Sequence, residues 1–326
     1  MTMINVAFVG AGRMANHHVG YLKNIPDVKL YGIYDIDPQA AKIFMDKYGC
    51  ERNYASLAEL AADSAVDGVL VCNFSDQHYQ TLIELMDAGK KNIFCEKALV
   101  RQLTDGEDLL RREKASGARI MVGHHRRYQA GYERLREIIL AGELGTIRMA
   151  KVAYCQPAYG REWGNFFADF ERSGGVTLDM MSHLFDQLNW YFGEPATVTG
   201  NSLMLDRSQP KPMDYVSATI TYKNGVICNI DGSFQRYGVG YDKIEVYGDN
   251  ACAIYDQGDK LHIYRRGEHT ELSLANADPY AEQMKAFLSM IKEGNAPRNG
   301  LSAGFDSARV ALTLIDAIQK HQIVNF

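Results

Sequence analysis

The chain has 326 residues, enough for roughly two domains at about 150 residues each. Hydrophobic residues make up 46% and charged residues 23%, ordinary values for a folded protein, so a disordered or collagen-like chain is excluded. A net charge of −5 gives no general attraction for nucleic acid or anionic lipid.

The six cysteines (Cys50, Cys72, Cys95, Cys155, Cys228, Cys252) stand far apart, with no Cys-x-x-Cys pair. That pattern suits reduced, mostly buried thiols in a cytoplasmic protein better than a disulfide framework or a zinc knuckle. No basic segment precedes the first apolar run, and no uncharged apolar stretch approaches the ~18 residues of a membrane helix. The expectation is a cytoplasmic protein without leader or membrane span.

The first part alternates strand-like and helix-like segments. Ile4–Val9 reads as a buried strand, Arg13–Leu22 as a helix, and Val28–Tyr34 as a second strand. Pro38 opens a second helix, as proline favours the first helical turn. Ser56–Ala62 is a short helix, Val66–Cys72 a strand, and His78–Ala88 a helix stopped by Gly89. Asn92–Cys95 is a strand, Thr104–Ser116 a helix, and Arg119–Val122 a strand. Such alternation predicts a parallel, doubly wound α/β sheet over residues 1–122.

Beyond Val122 the rhythm changes. Tyr132–Ala141 reads as a helix, Ile147–Cys155 as a strand and Leu178–Phe192 as a helix. Strand-like runs then crowd together: Ala196–Met204, Val216–Lys223, Val226–Phe234, Lys243–Tyr247, Ala251–Tyr255 and Leu261–Tyr264. Strands without intervening helices imply a mostly antiparallel sheet. Helices Tyr280–Lys292 and Ala303–Lys320 close the chain. Residues 123–326 are thus expected to form a separate α+β domain.

Gly10-Ala11-Gly12-Arg13-Met14-Ala15 is a G-x-G-x-x-A fingerprint. Gly10 permits the tight turn out of the strand, Gly12 lets backbone approach a pyrophosphate, and Ala15 allows close helix–sheet packing. The helix N-terminus then offers N–H groups to phosphate. Asp35 ends the next strand, where a carboxylate can accept from both ribose hydroxyls. It would repel a 2′-phosphate, and Ile36 and Asp37 supply no cation, so the reading is NAD rather than NADP. The plain alternative is a strand–helix turn with Asp35 as a surface acid.

Hydride transfer to nicotinamide also requires a group that takes the hydroxyl proton. In open α/β sheets, ligands sit past the C-terminal ends of the strands. Those segments are Ser75–His78, Glu96-Lys97 and His124-His125-Arg126-Arg127. A lysine at position 97 can hydrogen-bond a reacting oxygen or shuttle its proton, and Glu96 can bias it; a surface ion pair is the alternative. A second cluster is Gly174-Gly175 followed by Asp179 and His183, four apart and so on one helix face. His183 can serve as base, with Asp179 orienting it. The alternatives are a capping acid with a core histidine, or a metal site of Asp179, His183 and Asp186. Tyr159, Trp163, Phe166, Phe167 and Phe170 precede this cluster and can line a sugar site, dock the loop onto the sheet or make a subunit contact. Tyr237, Tyr241 and Tyr280 read as packing, His17 and His18 as solvated residues near the phosphates, and His78 as either a cap or a nicotinamide contact.

Over essentially its whole length the chain resembles the Gfo/Idh/MocA oxidoreductases, the group of glucose–fructose oxidoreductase and inositol dehydrogenase. Gly10 to Ala15 matches the family's glycine loop, Asp35 its ribose-binding acid, Glu96-Lys97-Ala98 its Glu-Lys-Pro motif, and Gly174-Gly175 to Asp179 and His183 its second-domain signature. The resemblance implies Lys97, Asp179 and His183 as the catalytic group. It implies NAD held by Gly10, Gly12, Arg13, Met14, Asp35, Asn73, Ser75, His78, Glu96 and Lys97. A sugar or polyol would be held by Lys97, His124, Arg127, Tyr159, Trp163, Asp179 and His183, with no metal. Hydride would pass between a sugar or cyclitol carbon and nicotinamide, and the second domain's open-faced sheet would pair copies into a homodimer or homotetramer. Ala98 departs from the motif: alanine neither fixes φ nor eases a cis bond, which leaves the backbone around Lys97 open. Two other uses of the same machinery are redox-neutral glycoside cleavage by oxidation and elimination, and non-catalytic NAD(H) sensing.

Overall fold

The computed structural model describes residues 3–157, 166, 169–203, 213–236, 240–275 and 277–326. The chain divides into two units: Met1–His125 with Asp278–Phe305, and Arg126–Ala277 with Asp306–Phe326. The division expected after Val122 therefore falls at His125, and a late segment expected in the second domain returns to the first.

In the first unit, strands β1 (Ile4–Val9), β2 (Val28–Tyr34), β3 (Arg52–Asn53), β4 (Gly68–Val71), β5 (Asn92–Cys95) and β6 (Arg119–Val122) form a parallel sheet in the order β3-β2-β1-β4-β5-β6. The order reverses between β1 and β4, the switch point where such sheets bind ligands. Val6, Phe8, Val69, Leu70, Ile93 and Phe94 are buried because helices cover both faces. Between the strands lie α1 (Arg13–Leu22), α2 (Pro38–Tyr48), α3 (Leu57–Ala62), α4 (His78–Asp87) and α5 (Leu103–Ser116). Helix α2 shows how local chemistry sets ends. Asp37 accepts from the Gln39 amide, Pro38 fills the first turn, and left-handed Gly49 (φ 71°) stops it.

The returning segment is held by its own apolar face. Its helix Pro279–Glu293 buries Met284, Phe287 and Leu288. Gly68 makes room for it: a Cβ there would stand 2.6 Å from Ile291 Cδ1.

In the second unit, α6 (Ala130–Leu140) precedes β7 (Ile147–Pro157), followed by α7 (Phe170–Ser173), α8 (Gly175–Asp179) and α9 (Ser182–Phe192). Then come β8 (Pro195–Leu203), β9 (Tyr215–Tyr222), β10 (Ile227–Arg236), β11 (Tyr241–Gly248), β12 (Cys252–Tyr255), β13 (Lys260–Arg265), β14 (Glu268–Ser273) and β15 (Val324–Asn325). The nine strands are ordered β14-β13-β12-β11-β7-β10-β9-β8-β15, antiparallel except for β7 with β10. Ala150, Val152, Cys228, Ile230, Ile244, Val246, Leu261 and Ile263 are buried. Their alternates, such as Lys151, Asn229 and His262, are exposed or half-buried, so one sheet face is open.

The expected helix Leu178–Phe192 is in fact two. The chain breaks at Met180–Met181, where the Met181 amide donates to Val176 O and the His183 amide to Met180 O. Met181 packs so tightly on Gly232 of β10 that a Cβ there would lie 2.5 Å from its sulfur. This anchoring overrides helix continuation. Asp179 ends one helix and His183 lies in the first turn of the next, so the shared helix face is corrected. None of the six cysteines forms a disulfide. Among the described residues no helix is long and apolar enough to cross a membrane.

Candidate active site

The carboxyl edge of the parallel sheet gathers most of the predicted residues. Gly10 leaves β1 with φ +95°, and a Cβ on it would lie 2.6 Å from the Asn73 amide nitrogen. Only glycine lets these two exit loops touch. Gly12 caps α1 with φ −73°, and nothing stands within 4 Å of its absent Cβ. The first turn of α1 carries neither a side-chain cap nor an acid, which leaves its amides open to an anion.

Asp35, at the end of β2, accepts from the Ala11 amide at 2.6 Å and the Asp37 amide at 2.9 Å. Each oxygen retains accepting capacity for a ribose hydroxyl. Arg13 is exposed and Met14 half-buried at the same helix end. After β4, Asn73 donates to Thr81 Oγ1 at 2.9 Å, while its buried Oδ1 has no partner among the described residues. Half-buried Ser75 opens the turn that leads into α4. An uncapped helix end, an open glycine, a pinned acid and an orphaned acceptor fit the pyrophosphate and sugar of a dinucleotide.

Glu96 and Lys97 follow β5, and the Lys97–Ala98 peptide is cis although residue 98 is not proline. His78 is fully buried, with Nδ1 2.8 Å from Ala98 O and Nε2 3.2 Å from Asn73 O. Burial lowers its pKa. A neutral ring holds one of these carbonyls as donor, so His78 ties the two loops together from within.

His18 was expected to be solvated, but it is fully buried with Nε2 2.6 Å from Glu96 Oε1. Burial pushes the Glu96 carboxyl up. The His18 hydrogen bond and charge, with Lys97 and His125, outweigh that and hold it below the usual range. Gly123 leaves the carboxylate its space, since a Cβ there would meet Oε2 at 2.8 Å. His124 is buried, and His125 stacks on Tyr280 with centroids 4.3 Å apart. Exposed His17 meets the same ring edge-on at 4.5 Å, so Tyr280 is a packing residue.

In the second unit, Gly174 and Gly175 are both left-handed (φ 74° and 61°) and start α8. Val176 then donates to Met213 O at 3.0 Å. Asp179 is half-buried and His183 buried. One turn beyond His183, Asp186 receives a two-point bond from Arg127: Nε to Oδ2 at 2.9 Å and Nη2 to Oδ1 at 2.8 Å. Both are buried, and Trp190 lies 5.4 Å from the guanidinium. Arg127 thus anchors α9 through its Nε and Nη2. With both Asp186 oxygens so engaged, the Asp179–His183–Asp186 metal reading is set aside.

Arg126 makes a second buried pair that the sequence reading missed. It bonds Asp242, whose Oδ1 also accepts from Tyr132 at 2.9 Å, and it lies 4.2 Å from the Tyr154 ring. Burial opposes its charge, but Asp242 and the tyrosines more than offset this and raise its pKa. The partners are 116 residues apart, beyond any local spacing. Tyr159, Trp163, Phe167 and Tyr237 lie outside the described residues. Phe166 is buried, with the Arg172 guanidinium 5.3 Å away, which is the docking reading. Tyr241 begins β11 and is exposed.

A family model described as oxidoreductase family, NAD-binding Rossmann fold (GFO/IDH/MocA), matches residues 4–124. The GFO/IDH/MocA C-terminal domain model matches residues 132–254. The chain is 28% identical to myo-inositol 2-dehydrogenase of Thermotoga maritima, over 97% of this chain and 96% of that one. It is 30% identical to the uncharacterized oxidoreductase YrbE of Bacillus subtilis, over 78% and 74%. Its fold matches scyllo-inositol dehydrogenase of Lactobacillus casei, solved with NAD(H) and scyllo-inositol, at TM-score 0.86, 20% identity and 99% of each chain.

Proposed function

The chain belongs to the GFO/IDH/MocA family of NAD-binding oxidoreductases, and from that premise we propose that it oxidises a secondary carbinol of a cyclitol, sugar or sugar derivative with NAD. The observation that carries this reading is the Asp35 carboxylate pinned against the glycine loop beside an uncapped α1, on the sheet edge that also bears Lys97. Asp35 favours two ribose hydroxyls over a 2′-phosphate, and neighbouring Ile36 and Asp37 bring no cation, which supports NAD over NADP. The inositol dehydrogenase from Thermotoga supports a cyclitol or a similar polyol.

Bound there, NAD would supply the acceptor for the hydride that leaves the carbinol carbon. Gly10, Gly12, Arg13, Met14, Asp35, Asn73 and Ser75 hold the cofactor, with Glu96 and His78 supporting the loops. Lys97 holds the reacting oxygen, His183 takes the hydroxyl proton, and Asp179 orients His183 or binds a neighbouring hydroxyl. Arg127 fixes α9 through Asp186, and His124, Tyr159 and Trp163 complete the substrate set. The dehydrogenase relatives favour net oxidation over redox-neutral cleavage or sensing. Cysteines without disulfides support a cytoplasmic setting. The open face of the nine-stranded sheet is the surface for a second copy, in a homodimer or homotetramer.

The test is NADH formation across a panel of cyclitols, sugars and glycosides, with NADP in parallel. Lys97→Ala should lower kcat by about 10²–10⁴-fold and leave the NAD Kd within about threefold. Full activity in that variant, equal use of NADP, or glycoside cleavage without NADH would each overturn the corresponding part.

A further inference from the structure

The β13–β14 hairpin carries a side-chain cluster that the proposed chemistry does not use. A two-residue turn at Arg266-Gly267, with Gly267 left-handed (φ 78°), fixes its register. His262 then pairs with Glu271, and Tyr264 with His269. Leu261 and Ile263 point into the core, so these four side chains share the open face of the sheet.

There His262 Nδ1 stands 3.2 Å from His269 Nε2 and 3.7 Å from Glu271 Oε1. The three ligand atoms all lie within 4.8 Å of one another. Two ligands bonded at 2.0–2.1 Å to a tetrahedral zinc ion would stand about 3.3 Å apart. The 3.2 Å pair matches that spacing, and small rotations of these partly or fully exposed side chains would bring the 3.7 Å pair to it. The neighbours organise the site. Tyr264 stacks on His269 with ring centroids 4.4 Å apart and planes 4° from parallel. Lys260 takes the other Glu271 oxygen, Oε2, and leaves Oε1 toward the imidazoles.

We propose that His262, His269 and Glu271 bind one divalent transition-metal ion of the zinc, cobalt or nickel class at the edge of the open sheet face. Two imidazoles with one carboxylate select such borderline ions over magnesium or calcium, which prefer all-oxygen shells. Each imidazole presents its lone pair once its proton resides on the other ring nitrogen. Lys260 acts as a positioning residue for the carboxylate. The inference does not depend on the dehydrogenase reading, because none of these residues belongs to the proposed catalytic or cofactor sets.

The test is isothermal titration of ZnCl₂ into EDTA-treated full-length protein, with MgCl₂ in parallel. The expected result is one zinc site per chain and no magnesium binding there. His262→Ala and His269→Ala should each weaken zinc at least tenfold, and Glu271→Gln by several-fold. The visible bands of tetrahedral cobalt(II) should vanish with either histidine. All three side chains are partly or fully exposed, so an unchanged melting temperature without metal shows that the variants fold. A wild-type protein that takes no zinc, or a His262→Ala/His269→Ala variant with an unaltered zinc isotherm, would overturn the proposal.

Discussion

Around the glycine loop of the first unit, polar groups keep part of their bonding capacity unspent. Asp35 accepts two backbone amides and can accept more, Asn73 Oδ1 has no partner among the described residues, and α1 begins without a side-chain cap. Around α6 and α9 of the second unit, two arginines spend theirs on carboxylates: Arg127 on Asp186, and Arg126 on Asp242. Buried ionic groups thus serve two ends. Open acceptors and amides leave a surface that can take a ligand, and closed forks tie the chain together, Arg127 to α9 and Arg126 to β11. Perturbation separates the two: breaking a closed fork should cost folding, and altering the open loop should cost binding.

The largest effect is expected at the closed fork of Arg126, whose side chain is 2% exposed. Arg126→Met leaves the Asp242 carboxylate in a buried site without its cation, and we expect a loss of about 3–5 kcal/mol in urea or thermal unfolding. Adding Asp242→Leu should restore most of that loss, because apolar replacement of both partners removes the stranded charge. A single-variant loss below about 1 kcal/mol would mean that the fork is not closed, and the contrast would fail.

Much of this was legible in the sequence where the signal is local. Gly10, Gly12 and Asp35 lie within one strand–helix–strand unit, and continuous apolar runs such as Val69 to Val71 reveal strands covered on both faces. Position 98 could be compared with a motif, although its peptide isomer could not be read from alanine. What stayed hidden depends on tertiary partners. The Met180–Met181 break follows from Met181 packing on Gly232, and the return of residues 278–305 follows from Phe287 and Ile291 packing against Gly68. The edge strand β14 is largely polar and shows no apolar alternation, and β3 and β15 have two residues each. The pair His262 and His269 needed only the Arg266-Gly267 turn to be read as a hairpin register.

An intermediate effect is expected at Glu96, which supports the open region from beneath. Its folded pKa is depressed, after burial is outweighed by His18, Lys97 and His125. The stabilisation it gives is therefore fully present above the unfolded carboxylate pKa and lost as pH falls through the folded value. Glu96→Gln should cost about 1–3 kcal/mol at pH 7, the worth of a buried hydrogen bond to a charged group. The gap between wild type and variant should close as the melting series is taken below about pH 4.5. A gap that stayed constant into acid would remove the ionised carboxylate from the account.

The smallest effect on folding is expected at Gly12, and there the contrast is sharpest. Its φ of −73° is open to any residue, and its Cβ would meet nothing within 4 Å. Gly12→Ala should therefore change stability by no more than about 1 kcal/mol, since the narrower unfolded ensemble is offset by alanine's poorer fit at a helix N-cap. Gly10→Ala is the reverse case: φ +95° and the Asn73 amide at 2.6 Å force strain and a clash, so it should lower the melting temperature. Calorimetric NAD titration completes the argument. If phosphate lies against the loop, the methyl of Gly12→Ala occupies the approach that glycine leaves clear, and the Kd for NAD should rise at least tenfold in a protein as stable as the wild type. Unchanged affinity in that variant would mean that the open valences of the first unit face no pyrophosphate, and the distinction between the two regions would lose its functional half.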